Sequence, residues 1–248
     1  MNTTLTQSIR KLRLSGMLQT LEVRLHEAQA NQLSHEQFLE LIVTDEFNIR
    51  QQRLIQRRLK AAQFRDLRTI EDFDFRFNPA ISRSEIFELA TAKFINSSED
   101  ILFVGPPGVG KTHLATAIGY QAIKAGFTVY YRSVFDLVRD LMEDEALLGQ
   151  DKILRRYLKA DLLIIDDMGI KRLPNKSGEY LFEIVMRRYE IRSTIMTSNR
   201  PIEEWAKLIG DVPSATAILD RFLHHAHIIN ITGKSYRMKN RACKKSNK

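Results

Sequence analysis

The stretch Gly105-Pro106-Pro107-Gly108-Val109-Gly110-Lys111-Thr112 spaces glycine, lysine and a hydroxyl residue as G-x-x-x-x-G-K-[ST]. Its flanks are those a phosphate-binding loop needs. Ile101-Leu102-Phe103-Val104 suits a buried strand, and His113 to Ile123 carries apolar residues at helical spacing. Glycine lets such a loop turn its backbone N–H groups toward a phosphate, and the N-terminus of the next helix adds partial positive charge. In that arrangement Lys111 reaches the β- and γ-phosphates of ATP, and the Thr112 hydroxyl holds Mg²⁺. The candidate nucleotide-binding set is Gly105, Pro106, Pro107, Gly108, Val109, Gly110, Lys111, Thr112 and His113.

Phosphoryl transfer from such a loop also needs a metal carboxylate, a group that orients water, and positive charge at the transferred phosphate. Leu162-Leu163-Ile164-Ile165 runs straight into Asp166-Asp167, as a buried strand delivering carboxylates to the C-terminal edge of a sheet would. Asp166 is the expected Mg²⁺ carboxylate, acting through water because magnesium keeps several of its waters. Asp167 is the group expected to polarise the attacking water. A further strand, Thr194 to Thr197, ends in Ser198-Asn199-Arg200-Pro201. Asn199 there is placed to reach the γ-phosphate or its water, although Asn and Pro alone signal only a turn. Arg221, in Ile218-Leu219-Asp220-Arg221-Phe222, has two readings: a local ion pair, or a finger reaching a neighbouring subunit's nucleotide. Periodicity does not separate them. His224, His225 and His227 crowd the end of the same helix, and no matched acidic partner is expected nearby, which favours a structural or surface role over metal binding.

The elements that must position these groups fit within 248 residues, 44% of them hydrophobic and 27% charged, which allow one sizeable domain and a smaller one. The single cysteine, Cys243, excludes an intrachain disulfide and a cysteine-based zinc site. The N-terminus shows no signal-peptide pattern and no long uncharged apolar stretch occurs, so a soluble cytoplasmic protein with no membrane partner is expected. The net charge of +8 is uneven. Residues 1–66 carry ten Lys/Arg against seven Asp/Glu, residues 67–232 carry 21 against 23, and residues 233–248 carry seven bases and no acid. Such a tail fits contact with a polyanion, most often nucleic acid, and fits a solvated disordered tail equally well.

Leu5, Ile9, Leu12, Met17, Leu21 and Leu25 recur at helical spacing over residues 5–30. Asn31-Gln32 breaks the pattern, and Ser34-His35-Glu36-Gln37 reads as a capping box opening a helix that runs to about Phe64. Its second half is basic, with Arg50, Arg53, Arg57, Arg58 and Lys60, either a solvated face or a surface for DNA or an acidic partner. Two or three helices over some 65 residues form a marginal core, so this region is expected to pack on something else. Residues 67–100 read as a linker with alternating Phe73, Phe75 and Phe77, then a helix capped by Ser82 and reaching Phe94. From residue 101 strands and helices alternate, with Thr128-Val129-Tyr130-Tyr131 and Ile228-Ile229-Asn230-Ile231 as further strands, an α/β pattern with a mainly parallel sheet.

The order of phosphate loop, Asp166-Asp167 strand, Thr197-Ser198-Asn199 turn, Asp220-Arg221 and Ser235-Tyr236-Arg237 resembles the AAA+ ATPases of the DnaC/IstB clade. The likeness to the IstB-type helper ATPases of insertion-sequence transposases covers almost the whole chain. It includes Leu12-Arg13-Leu14-Ser15-Gly16-Met17, Glu71-Asp72-Phe73-Asp74-Phe75 and Val212-Pro213-Ser214-Ala215. The resemblance implies a three-layer α/β sandwich with a parallel five-stranded sheet of order 5-1-4-3-2. It implies an abbreviated lid and a small N-terminal helical domain over 1–66, an ATPase domain over 67–232 and a basic tail over 233–248. It makes Asn199 a sensor-1 residue, Arg221 an arginine finger acting in trans, and Arg237 a sensor-2-like arginine. Two departures stand out: Asp167 occupies the place of a usual glutamate, shortening its reach by one methylene, and only eleven residues follow Arg237, too few for the usual helical lid.

In that clade a helix before the Asp166 strand lines a central DNA path. Here that segment carries Lys152, Arg155, Arg156 and Lys159, with Lys171, Arg172 and Lys176 beyond the strand. Lys and Arg facing phosphates give affinity without base specificity, and a solvated helix face is the plain alternative. The resemblance thus implies an ATP- and Mg²⁺-dependent homo-oligomer on duplex DNA that serves a transposase. Three other readings stay open: a DnaC-like helicase loader, a small-molecule P-loop kinase, and a non-hydrolysing nucleotide-gated scaffold.

Overall fold

Apolar spacing and local caps set the elements of the computed structural model, which describes residues 3–146, 152–170, 173–174 and 176–238. Two units pack separately, Met1–Arg57 and Arg58–Lys248. The first holds α1 (Thr3–Lys11), α2 (Ser15–Ala30) and most of α3 (His35–Ala62). The periodic stretch over 5–30 is two helices, because the chain breaks at Leu12–Leu14 with Arg13 at a left-handed φ of 57°. The capping box forms: Gln37 N donates to Ser34 Oγ (3.2 Å) and Ser34 N donates to Gln37 Oε1 (2.9 Å). Ile9, Leu21 and Ile42 make a small core with Met17, Leu18 and Phe38 against it. Glu46 of α3 closes the start of α2 by accepting from Gly16 N (2.6 Å) and Met17 N (3.0 Å) while pairing with Arg50 (2.6 Å). These are donors that a helix N-terminus otherwise leaves orphaned.

The second unit continues through α4 (Arg83–Ala90), α5 (Lys93–Asn96), β1 (Asp100–Val104), α6 (Lys111–Lys124), β2 (Val129–Ser133) and α7 (Val134–Ala146). It is completed by α8 (Lys152–Lys159), β3 (Leu162–Met168), α9 (Ser177–Arg188), β4 (Ser193–Ser198), α10 (Trp205–Ile209), α11 (Val212–His224) and β5 (Ala226–Asn230). Ser82 caps α4 as expected, accepting from Glu85 N at 3.3 Å. The helix stops short of Phe94 because Ala92 turns left-handed (φ 60°), and α5 restarts beyond it.

All five strands are parallel and lie in the order β2-β3-β4-β1-β5, the expected order read from the other edge. Strand alternation sorts the core. Leu102, Tyr130, Leu163, Ile165 and Met196 point into the layer built by α7 to α11. Their neighbour Ile164 points the other way, against Gly119 of α6. The result is helix, sheet, helix: three layers. Among the described residues no helix is long and apolar enough to cross a membrane.

At the N-terminal edge of the sheet a polar cluster is buried. Arg188, 1% exposed, donates to the carbonyls of Tyr157 and Ala160 (2.8 Å each), to Ser193 O and to Thr194 Oγ1 (3.1 Å). Burial pushes its pKa down to about 9. Asp100 accepts from Thr194 N (2.6 Å), and burial raises its carboxyl to about 7.

Candidate nucleotide site

The C-terminal edge of the sheet gathers groups that lie far apart in sequence. β1 leads into the loop 105–110, β3 delivers Asp166, and β4, lying between them, ends at Ser198 and presents Asn199. Gly108 (φ 86°) and Gly110 (φ 108°) hold backbone conformations that side chains rarely adopt. A Cβ on Gly108 would stand 2.1 Å from Ser235 Oγ, and one on Gly110 would stand 2.5 Å from the Phe73 ring. Both glycines are therefore required by geometry and by close neighbours.

Lys111, 5% exposed, donates from Nζ to Gly105 O (2.7 Å), Pro106 O (2.8 Å) and Asn199 Oδ1 (2.7 Å). Burial lowers its pKa to about 8, against the opposing pull of Asp166 and Asp167. Beside it the Thr112 hydroxyl donates to Asp166 Oδ1 (3.0 Å). Asp166, 1% exposed, also accepts from Tyr131 OH through Oδ2 (2.6 Å) and from the Thr197 hydroxyl. Burial and the adjacent Asp166 raise the Tyr131 pKa, so its phenol stays a donor.

Asp167 sits where the β3–β4 pairing bulges between Ile165 and Met168, with φ 67°. Aspartate tolerates that region better than most side chains. Its N–H donates to Thr197 Oγ1 (3.1 Å), and Oδ2 receives Arg65 (3.2 Å). Burial and Asp166 raise its carboxyl pKa, while Arg65 and Arg237 oppose the shift. The charge of Arg237 thus acts on both Asp167 and Lys111. Its neighbour Tyr236 donates from N to Gly108 O (2.9 Å), which ties this segment to the loop. His113, whose pKa is lowered by burial, contacts Thr69 O through Nε2 (2.7 Å) and meets the Phe73 ring edge-on at 5.2 Å.

The residues suit an anionic nucleotide and a hard cation. No side chain caps the N-terminus of α6 among the described residues, so its leading N–H groups are available to phosphate. Thr112 and Asp166 offer the hydroxyl and carboxylate oxygens that Mg²⁺ prefers.

The fold brings Lys111, Thr112, Asp166, Asp167 and Asn199 together. It leaves Arg221 partly exposed on α11 in an ion pair with its neighbour Asp220. On α8, Lys152, Arg155, Arg156 and Lys159 are exposed while Leu154 and Tyr157 are buried. Lys176 precedes α9 with φ 67° and pairs with Glu145 (3.5 Å). Lys171, Arg172 and the tail from 239 lie outside the described residues. Two of the histidines do find acids through folding: Glu190 stands 3.3 Å from His225 and Glu99 stands 2.9 Å from His227, with Glu99 partly buried and the other three exposed. The sequence reading missed Tyr131, Thr197 and Arg65. The first two carried a signal, since polar side chains near the C-terminal ends of β2 and β4 flank the strand that bears Asp166.

The chain is similar to known ATP-binding proteins. The family model described as IstB-like ATP binding protein matches residues 7–244. An ATP-binding protein of the insertion sequence IS5376 from Geobacillus stearothermophilus is 40% identical over 92% of this chain and 91% of its own length. The corresponding IS21 protein of Pseudomonas aeruginosa is 38% identical over 92% of this chain and 86% of its own. Among solved structures, the DnaC helicase loader superposes with a TM-score of 0.52 and 26% identity, covering 60% of this chain and 86% of DnaC.

Proposed function

The chain belongs to the IstB-like ATP-binding protein family, and from that premise we propose that it is a DNA-binding AAA+ ATPase that oligomerises on duplex DNA and assists an insertion-sequence transposase in target selection and integration. The observation that carries the reading is the bond from Lys111 to Asn199 beside the Thr112–Asp166 pair, three strand ends converging on one loop.

In this reading Gly105 to His113 cradle the nucleotide, and Lys111 exchanges its carbonyl partners for the β- and γ-phosphates. Thr112 and Asp166 would hold Mg²⁺, whose charge, when bound, offsets that building on the phosphates. Asp167 accepts a hydrogen bond from the attacking water, and Asn199 orients that water or the γ-phosphate. Arg221 serves a neighbouring subunit; its partial exposure and its weak local pair with Asp220 leave it available for exchange. Arg237 adds positive charge at the nucleotide. The exposed bases of α8, with Lys171, Arg172 and Lys176, follow the DNA backbone. Residues 1–66 contact partners, 67–232 form the ATPase domain, and 233–248 form a basic tail.

ATP that bridges subunits favours assembly by the difference in its affinity for the two states, and hydrolysis removes that difference. The test is ATPase rate across protein concentration, with and without duplex DNA, for wild type and Arg221→Ala. Duplex DNA should raise the rate, the rate per subunit should climb with concentration, and Arg221→Ala should abolish it while ATP still binds. A rate indifferent to all three would return the small-molecule kinase reading.

A further inference from the structure

Arg65 follows the end of α3 by three residues, and the chain around it is pinned. The Phe64 ring lies against Gly119 of α6 and 6.0 Å from the Tyr131 ring, and Thr69 O meets His113. From this position the Arg65 guanidinium lies between two carboxylates, 3.2 Å from Asp167 Oδ2 and 3.8 Å from Asp136 Oδ2. Asp136 is itself held: its Oδ2 accepts from Ser133 Oγ (2.7 Å) and its Oδ1 from Arg139 (2.8 Å).

We propose that Arg65 is a positioning residue that parks the Asp167 carboxylate away from water until the site is assembled. The inference rests on the reading of Asp167 as the group that polarises the attacking water. Three features carry it. The engaged oxygen is one of only two with which Asp167 can accept a hydrogen bond from water. The bulge and the left-handed φ fix the backbone of Asp167, so its carboxylate changes partner by side-chain rotation alone. Arg65 is 59% exposed, so its hold is weak, and Asp136 stands ready as a second partner. Two arrangements of one arginine side chain on a pinned backbone therefore lie close in free energy, and assembly of the site selects between them. Arg65 touches neither nucleotide nor water in this account; it acts through Asp167.

The test is steady-state ATP hydrolysis without DNA, with ATP binding measured for each variant. Arg65→Ala should raise kcat about two- to fivefold, the range an exposed ion pair allows, with KM for ATP unchanged. Arg65→Lys should stay near wild type. Asp136→Asn should lower kcat, because Arg65 then has only Asp167 to hold, and this effect should vanish when Arg65 is alanine. A kcat at or below wild type in Arg65→Ala with normal ATP binding overturns the proposal, as does an Asp136→Asn effect of full size without Arg65. Asp167→Asn separates the two claims. If it leaves hydrolysis intact, the reading of Asp167 fails and the latch with it; if it abolishes hydrolysis and Arg65→Ala brings no gain, the latch alone fails.

Discussion

The two ends of one parallel sheet bury charge in opposite ways. At the N-terminal edge every contact of Arg188 is with a group that cannot leave: three backbone carbonyls and the hydroxyl of Thr194. At the C-terminal edge Lys111 is also buried and also bound to carbonyls, but they belong to a glycine loop beside an uncapped helix N-terminus. The first cluster is closed and the second can trade its partners for a ligand. Burial of a charge therefore does not mark a functional site by itself; exchangeable partners do.

Substitutions can break this contrast. The largest expected effect is on chemistry: Lys111→Ala should reduce hydrolysis by at least ~10²-fold, as loss of a preorganised electrostatic donor does. It should cost ~1 kcal/mol of stability or less, because water can reach the freed carbonyls; ATPase assays and urea unfolding would check both. Arg188→Ala should do the reverse, destabilising the α/β unit by about 3–5 kcal/mol because several carbonyls lose a buried partner. The folded fraction should still bind ATP, which fluorescent-nucleotide titration would read. Asn199→Ala should fall between these for chemistry, lowering hydrolysis about tenfold, or ~1.4 kcal/mol at the transition state, with little change in unfolding midpoint.

The smallest effect concerns the helical unit. Burial raises the Glu46 carboxyl, but Arg50 and the N–H groups of Met17 and Gly16 outweigh it and leave the pKa below its ordinary value. Asp45 is lowered by Arg24. A depressed carboxylate contributes stability above its unfolded pKa and loses it as pH falls through the folded value. The unit should therefore weaken as pH drops below the ordinary values of 4.5 and 3.8, and Glu46→Gln should flatten that dependence in circular-dichroism melts.

Most of the site was legible because its chemistry is written in short runs. The loop, the Asp166-Asp167 strand end and Asn199 each follow an apolar strand directly, so local pattern located them, and the parallel sheet joined them. The capping box of α3 and the Ser82 cap were legible for the same reason. What escaped reading depends on contacts distant in sequence. Arg65 lies 102 residues from Asp167, and nothing in its own neighbourhood distinguishes it from the other arginines of the region. Glu190 reaches His225 from the turn after α9. The break at Arg13 and the early stop at Ala92 are left-handed turns at residues that rarely adopt them, so composition carried no warning.

The central claim is that each hydrolytic site is completed by a neighbour's Arg221, and subunit mixing tests it most directly. Asp167→Asn should bind ATP without hydrolysing it, and Arg221→Ala should keep its own pocket intact while offering no finger. Mixed on duplex DNA, the first should supply Arg221 to the pocket of the second if the proposed subunits meet head to tail. The account predicts that two inactive variants regain hydrolysis together. A mixture that assembles on DNA and stays inactive would contradict it.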